Sequence, residues 1–185
     1  YFQCENGPSA SLIKMTISKY LGELRSEQNV AVTRGFSLAL GALPSKIVLQ
    51  TEETFFEVLE TLEDYARQDK LITGETDIET RRNALESIIE LIERSRPYIG
   101  SIVSHSIYSR VFSLLLSACN DYSVDKRGDT GSWCRKLALI GIERLIYSVY
   151  TPVRQLYLPN LNNDDSFFMR ENNVNLENNM NIQVY

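Results

Sequence analysis

Hydrophobic positions recur at helical spacing in six stretches of the chain, separated by polar or proline-containing segments. The spacing predicts helices over about 11–25, 30–43, 52–67, 78–95, 105–119 and 132–149. Pro44, Pro97 and Pro152 follow the second, fourth and sixth stretches and are expected to stop those helices, because proline lacks an amide donor and clashes with the preceding turn. No stretch alternates with period two, so the pattern predicts an all-α protein.

The pattern also predicts which helix faces are buried. In the first stretch Leu12, Met15, Tyr20 and Leu24 are expected to face inward. The fifth stretch is apolar nearly all round, which is typical of a helix between neighbours.

The six helices form three successive pairs, and the second helix of each pair shows a weak internal repeat. An arginine occurs at an equivalent place in each (Arg34, Arg81, Arg135), and three residues later comes a small residue (Ser37, Ala84, Ala138) and then a leucine (Leu38, Leu85, Leu139). The spacings are 81 − 34 = 47 and 135 − 81 = 54 residues, at or above the upper end of the range for HEAT-type paired-helix repeats. The sequence therefore predicts a HEAT/armadillo-like α-solenoid segment.

An acidic or amide residue precedes each of these arginines: Asn29, Asp77 and Asp129. In HEAT-type repeats such side chains form Asp–Arg ladders between successive repeats, which is a structural use of charge. The predicted organisation is an irregular segment over 1–10, a domain of about three helix pairs over 11–158, and a tail over 159–185. Asparagine competes for backbone hydrogen bonds, so this asparagine-rich tail is predicted to be mostly irregular.

Composition excludes several classes of function. The net charge of −5 argues against a nucleic-acid partner, because phosphate binding depends on clustered Lys and Arg. The three cysteines, Cys4, Cys119 and Cys134, form no CxxC motif, which suits a reducing cytosol. No apolar run is long enough to span a bilayer and no signal peptide opens the chain, so we expect a soluble cytoplasmic protein.

The residues give little support for catalysis. The single histidine, His105, lies where a helix starts and has no partner motif, and no Cys/His cluster or phosphate-binding loop is present. Asp121, Asp125 and Asp129 recur every four residues, but Lys126 and Arg127 would put positive charge inside a calcium cage. We therefore predict no enzyme activity, no metal and no cofactor.

Two surfaces invite a choice between docking and simple packing. An acidic run in the third stretch could meet a basic partner, although a solvated helix face is the favoured interpretation (Glu52, Glu53, Glu57, Glu60, Glu63, Asp64). Tyr147, Tyr150 and Tyr157 could be interface anchors, although packing is again favoured.

The segment 121–135 is too polar and glycine-bearing for a core helix, yet it carries the chain's only tryptophan. Its aspartates, Asp121, Asp125 and Asp129, are predicted to cap the following helix, while Gly128 and Gly131 permit a tight bend. Trp133 is predicted to anchor that helix in apolar surroundings. Such a loop would lock one helix pair against the next.

Together with 29–44, this segment resembles the carboxy-terminal helical-repeat region of the tubulin-specific chaperone D (tubulin-folding cofactor D) family, and the resemblance extends over roughly 16–150. The matching positions are Arg34, Gly35, Phe36, Leu40, Gly41, Leu43 and Pro44, and then Asp121, Tyr122, Asp125, Arg127, Gly128, Asp129, Gly131, Trp133 and Arg135. Most suit helix junctions, and Arg127, Asp129 and Trp133 are kept as interface candidates.

The resemblance implies a chaperone that captures β-tubulin and, with other tubulin-folding cofactors and α-tubulin, assembles and disassembles the αβ heterodimer. It also implies control by an Arf-like small GTPase, and a cytoplasmic location with microtubule or centrosome association. The alternatives are a generic HEAT-repeat scaffold of the transport-adaptor or phosphatase type, and a regulator that inserts Arg127 toward a GTPase nucleotide.

Overall fold

The computed structural model describes residues 10–26, 29–67, 69–70, 74–75, 77–99 and 103–157. The chain divides into two units, Tyr1–Tyr150 and Thr151–Tyr185. The described part of the second unit is 151–157, the end of a helix. The predicted irregular segment over 1–10, apart from Ala10, and the predicted tail over 159–185 lie outside the described residues.

The described part of the chain is mostly helical, which confirms the all-α prediction. Its α-helices are α1 Ala10–Ser26, α2 Val30–Ala42, α3 Ser45–Val48, α4 Glu52–Ala66, α5 Ile78–Arg94, α6 His105–Ala118 and α7 Gly131–Tyr157. A 3-10 turn, Arg96–Tyr98, follows α5. All six predicted helices are present, and the four-residue α3 is an addition.

Two short antiparallel hairpins lie between helices and were missed by the sequence pattern. β1 (Asp69–Lys70) pairs with β2 (Gly74–Glu75), and β3 (Val124–Asp125) pairs with β4 (Gly128–Asp129). Strands of two residues are too short to show a period of two, so alternation cannot reveal them.

Side-chain caps explain where three helices begin. The Asn29 Oδ1 accepts from the Ala31 amide at 3.0 Å before α2, and the Thr51 Oγ1 accepts from the Thr54 amide at 3.2 Å before α4. Asp77 accepts from the Thr80 amide at 3.3 Å before α5. Each bond satisfies an amide that has no partner within the helix.

The prolines do not all act as predicted. α2 ends at Ala42, two residues before Pro44, and Pro97 lies in the 3-10 turn after α5. The prediction that the last helix ends before Pro152 is wrong, because α7 continues to Tyr157. A proline removes one backbone hydrogen bond, and the remaining bonds of a long helix can carry it past that point.

The helices pack in two layers. α1 contacts α4, and Arg110 of α6 donates to Glu63 of α4, so the first helices of the three pairs are neighbours. α2 packs along α5, and Gly141 of α7 lies against Ile89 of α5. The apolar core lies between these layers and includes Leu24, Phe55 and Leu115, each at most 1% exposed.

The prediction for the buried face of α1 is only partly right. Leu24 is buried and Tyr20 is half-buried, but Leu12 and Met15 are 48% and 63% exposed. The buried stripe is instead Ile13, Ile17, Leu21 and Leu24. Apolar residues occur on both faces of this helix, so packing against α2 and α4 decides which face is inside. The fifth predicted helix likewise exposes one face of α6, with Ser109, Ser113 and Leu116 toward solvent.

The small residues of the repeat pattern let the second helices approach closely. Ser37, Ala84 and Ala138 are all fully buried, as a close-packed layer requires. The following leucines differ: Leu85 is buried, whereas Leu38 and Leu139 are 42% and 62% exposed. α5 has a neighbour on either side in its layer, and the described residues cover α2 and α7 on one side only.

Candidate functional site

The hairpin β3–β4 meets the amino-terminal ends of α5 and α7, and all eight residues singled out from the sequence lie there or contact it. We call this cluster the polar junction. It consists of the eight candidates and three residues that the sequence did not indicate (Arg34, Asp121, Tyr122, Asp125, Arg127, Asp129, Trp133 and Arg135, with Asp77, Glu79 and Arg81).

A buried ion pair fixes the hairpin loop to α5. The Arg81 Nη2 lies 3.1 Å from the Asp121 Oδ2, and their side chains are 2% and 6% exposed. The same nitrogen donates to the Ser123 Oγ at 2.8 Å, and the Asp121 Oδ1 accepts from the Ser123 amide at 3.0 Å. Within the described residues the Nε and Nη1 of Arg81 have no hydrogen-bond partner. Asp121 therefore holds the loop from inside.

A second, half-exposed row of charges links α2, α5 and the hairpin. The Arg34 Nε lies 2.8 Å from the Asp77 Oδ1, and its Nη2 lies 3.0 Å from the Glu79 Oε2. Glu79 also accepts from Arg127, whose Nη2 lies 2.5 Å from the Asp125 Oδ2. One carboxylate of α5 thus joins an arginine of α2 to an arginine of the hairpin.

Hydrogen bonds keep two of these carboxylates ionised. Burial alone would raise the pKa of Asp77, but the hydrogen bonds from Thr80 and Arg34 outweigh burial and lower it. The pKa of Asp125 is lowered mainly by its hydrogen bond from the Arg127 side chain. Both groups therefore act as anions that accept hydrogen bonds.

The prediction that three aspartates cap α7 is right for one of them. The Asp129 Oδ1 accepts from the Ser132 amide at 3.1 Å, and Arg135 reaches back to Asp129 at 2.5 Å. Asp121 is instead bound to Arg81, and Asp125 accepts from the Arg127 amide at 2.7 Å within the hairpin turn. The spacing of four residues predicted equal roles, but the hairpin turns each side chain toward a different partner.

Two glycines shape the junction. Gly128 has a φ of +99°, a conformation that side chains rarely adopt, and it completes the hairpin turn. A Cβ at Gly131 would lie 2.3 Å from the carbonyl oxygen of Asp121, so this position admits the loop backbone only without a side chain. The predicted tight bend is present.

The predicted Asp–Arg ladder is half right. Arg34 of the first helix pair meets Asp77 of the second, as predicted. Arg81 of the second pair meets Asp121 of the third and not Asp129, because Asp129 is already engaged by Arg135 of its own helix. The signal that would have found Glu79 is its place two residues after Asp77, where an acidic residue also favours the helix dipole.

The aromatic residues of the junction face outward more than predicted. Trp133 is half-buried against the edge of the core, and the Arg127 guanidinium lies 5.0 Å from its ring centroid, so the predicted fully buried anchor is wrong. Tyr122 is 71% exposed with Arg135 at 5.0 Å from its ring, and Val124 is 74% exposed. We call these five residues the hairpin surface.

The other candidate groups do not assemble into a site. His105 is exposed at the start of α6, and the described residues contain no group of His, Cys, Asp and Glu side chains that could hold a metal ion. Cys134 is buried, and burial raises the pKa of its thiol to about 12. None of the helices that the structure describes is long and apolar enough to cross a membrane.

The acidic run of α4 is largely neutralised. Glu57 pairs with Arg25 at 3.4 Å, and Arg110 pairs with both Glu60 at 3.8 Å and the buried Glu63 at 2.5 Å. The run is therefore neither a uniform docking face nor a wholly solvated one. Tyr147 is about half exposed. The side chains of Tyr150 and Tyr157 lie outside the described set.

Comparison with known proteins places the chain. No protein-family model matches it, and no solved structure does. Tubulin-specific chaperone D of Dictyostelium discoideum is 30% identical over 142 residues, an alignment that covers 69% of this chain and 10% of that protein. The chain thus spans about a tenth of the length of this relative. The resemblance drawn from the sequence is confirmed.

Proposed function

We propose, from the premise that this chain is similar to a part of tubulin-specific chaperone D, that it is a segment of a tubulin-folding cofactor and binds β-tubulin. In this role it takes part in assembly and disassembly of the αβ-tubulin heterodimer in the cytoplasm. The similarity carries the proposal, and the hairpin surface is the contact that the geometry favours.

The chemistry of this role is holding and release. The charged groups of the polar junction accept or donate hydrogen bonds to one another, and no bond-making group is poised among them. We therefore propose that the segment is not an enzyme. Its other proposed partners are further tubulin-folding cofactors and an Arf-like small GTPase, with microtubules or centrosomes as a site of action.

We also propose that the helix pairs are HEAT-like repeats of an α-solenoid. Tertiary hydrogen bonds join residues at nearly constant separation: Arg34 to Asp77 spans 43 positions, Ser87 to Ser37 spans 50, and Arg144 to Glu90 spans 54. Contacts that recur at about one repeat length are what stacked repeats require, because each repeat contacts mainly its neighbours.

The hairpin surface has the properties of a protein contact. Tyr, Trp and Arg dominate the energetics of known interfaces, and three of these types are grouped here as Tyr122, Trp133, Arg127 and Arg135. The arginines are already held by Asp125, Glu79 and Asp129, so little side-chain entropy remains to be lost on binding. A preorganised surface of this kind favours recognition of a folded partner.

Co-elution of the purified chain with tubulin on size exclusion tests the proposal. We expect a complex with the unaltered chain and its loss in the double variant Tyr122→Ser, Val124→Ser. Both side chains are over 70% exposed, so the variant should keep its fold, which circular dichroism checks. Leu116→Ser on the exposed face of α6 is the matched control. A folded chain that never co-elutes with tubulin would favour a generic repeat scaffold or transport adaptor.

GTPase activation is expected to need more than this segment. Arg127 is occupied by Asp125, Glu79 and the Trp133 ring, whereas an inserted arginine must be free to reach a nucleotide. We therefore expect no stimulation of GTP hydrolysis by the isolated chain. Stimulation that disappears in Arg127→Ala would instead support the regulator alternative.

A further inference from the structure

We propose that the solvent face of α2, together with the groove between α2 and α5, binds an amphipathic helix of a partner protein that carries Lys or Arg beside its apolar stripe. This surface is separate from the hairpin surface, and the proposal does not depend on tubulin binding. It rests on the shape and charge of the groove.

The groove has a volume of about 300 Å³, and its floor is apolar, formed by Leu38, Gly41 and Ala42 of α2. Leu38 is 42% exposed, and Ala42 is exposed beside it. A volume at the lower limit for small-molecule sites, in a groove open to solvent, suits a large apolar side chain of another protein better than an enclosed ligand.

The α2 face continues the groove along the helix without a charge. Ala31 and Gly35 are exposed one and two turns before Leu38, so the row has the i, i+4, i+7 spacing of one helix face. A Cβ at Gly35 would meet nothing within 4 Å, which leaves open space above the α2 backbone. A second helix can therefore approach α2 closely here.

The α5 wall of the groove supplies the charge that selects the partner. Glu86 lines the groove, is partly exposed, and has no ion pair or hydrogen bond among the described residues. Its neighbours are already engaged: Glu90 pairs with Arg144 at 2.8 Å, and Arg94 donates to the carbonyl of Leu43 at 2.6 Å. Arg82, one turn before, donates to Asn83. The uncompensated charge at the groove is thus negative and fits a basic side chain.

A displayed library of helical peptides of about 18 residues, long enough to form a helix, tests the proposal on the full chain. The peptides carry leucine at i, i+3 and i+7, with flanking positions randomised among Lys, Gln and Glu. We expect selection on the unaltered chain to enrich Lys at the flanking positions. Selection on Glu86→Lys should enrich Glu instead, because the charge that reads the flank is reversed.

Two further variants separate binding from folding. Gly35→Phe fills the open space above α2 and should weaken the selected peptides by about tenfold or more, while helix stability rises or stays unchanged because glycine is a poor helix former. Gly22→Phe, at an equally open and exposed glycine of α1, should leave binding intact. No enrichment above Leu38→Glu, or enrichment without a preference for Lys, would overturn the proposal.

Discussion

At the scale of residues, Arg81 and Asp121 raise the question of why an ion pair is buried at all. Taking two charges out of water costs several kcal/mol per ion in real proteins, and their attraction repays this only with good geometry and further hydrogen bonds. Here Ser123 supplies two of those bonds, through its hydroxyl and its amide. The pair therefore specifies how the loop before the hairpin joins α5, more than it adds stability.

Removal of one partner should reveal this dependence. Asp121→Ala leaves Arg81 charged and buried, and we expect a loss of about 3–5 kcal/mol in the free energy of unfolding, measured by urea denaturation. Asp125→Ala, which breaks an exposed pair of the same type, should cost less than about 1 kcal/mol. Equal costs for the two variants would show that burial of the inner pair has no energetic consequence.

Asp77 predicts a pH dependence with a definite sign. Its pKa is lowered below the ordinary value of 3.8 in the folded chain, so its contribution to stability is present above that value and is lost as pH falls through the folded pKa. Asp77→Asn retains a capping side chain but no charge. We therefore expect its free energy of unfolding to fall less steeply than that of the unaltered chain between pH 4 and lower values, in acid titrations followed by circular dichroism.

Glu63 behaves in the opposite sense and provides an internal comparison. Burial raises the pKa of this carboxyl, although its ion pair with Arg110 opposes the effect. Its contribution is present below the unfolded pKa and is lost as pH rises through the folded value. Glu63→Gln should therefore not reduce the acid sensitivity. An acid limb that flattens in Glu63→Gln and not in Asp77→Asn would contradict both assignments.

Residue roles in the junction were only partly predictable from sequence. The pattern identified Asp121, Asp129 and Arg135 as polar anchors of a helix junction, but it assigned the same capping role to each aspartate. Which carboxylate caps and which enters the interior depends on how the hairpin folds, and its two-residue strands leave no periodic signal. Trp133 was similarly assigned to the interior because of its type, whereas Arg127 covers its ring at the edge of the core.

At the scale of elements, the helices were predictable and the hairpins were not. Apolar spacing and the caps at Asn29, Thr51 and Asp77 fix helix starts locally, so sequence alone locates them. The outward face of α1 could not be predicted because apolar residues lie on both sides of it. The passage of α7 through Pro152 also follows from helix length, which a rule based on one residue ignores.

Two glycines should respond to alanine with opposite signs. Gly131→Ala places a Cβ within 3 Å of the loop backbone at Asp121 and Ser123, so the hairpin must move away from α7. We expect a loss greater than about 1 kcal/mol, since a substitution incompatible with the native backbone costs more than the entropy that it saves. Gly35→Ala, in open space on α2, should stabilise the chain by about 0.5–1 kcal/mol.

Thermal unfolding of the two glycine variants measures both effects in one experiment. A melting temperature that falls in Gly131→Ala and rises in Gly35→Ala is the expected result. A rise in both would mean that the loop yields to the added methyl group, and that Gly131 does not fix the packing of the hairpin on α7.

At the scale of the whole molecule, the polar junction and the layer of second helices join three helix pairs into a platform for a surface at one end. The ion pairs run from α2 through α5 to the hairpin, so the position of Tyr122 and Val124 depends on charges two elements away. This is the arrangement expected of a scaffold that presents a rigid contact to a folded client. Sequence predicted the three pairs and their order, but the surface emerged only from the geometry.

Hydrogen exchange of the chain with and without tubulin tests the central claim most directly, because it asks both whether tubulin binds and where. We expect slower exchange over 121–135 in the complex, with the solvent face of α6 unchanged. Slowing that vanishes in the double variant Tyr122→Ser, Val124→Ser would assign the contact to the hairpin surface. A folded chain whose exchange over 121–135 is the same with saturating tubulin as without it would contradict the account.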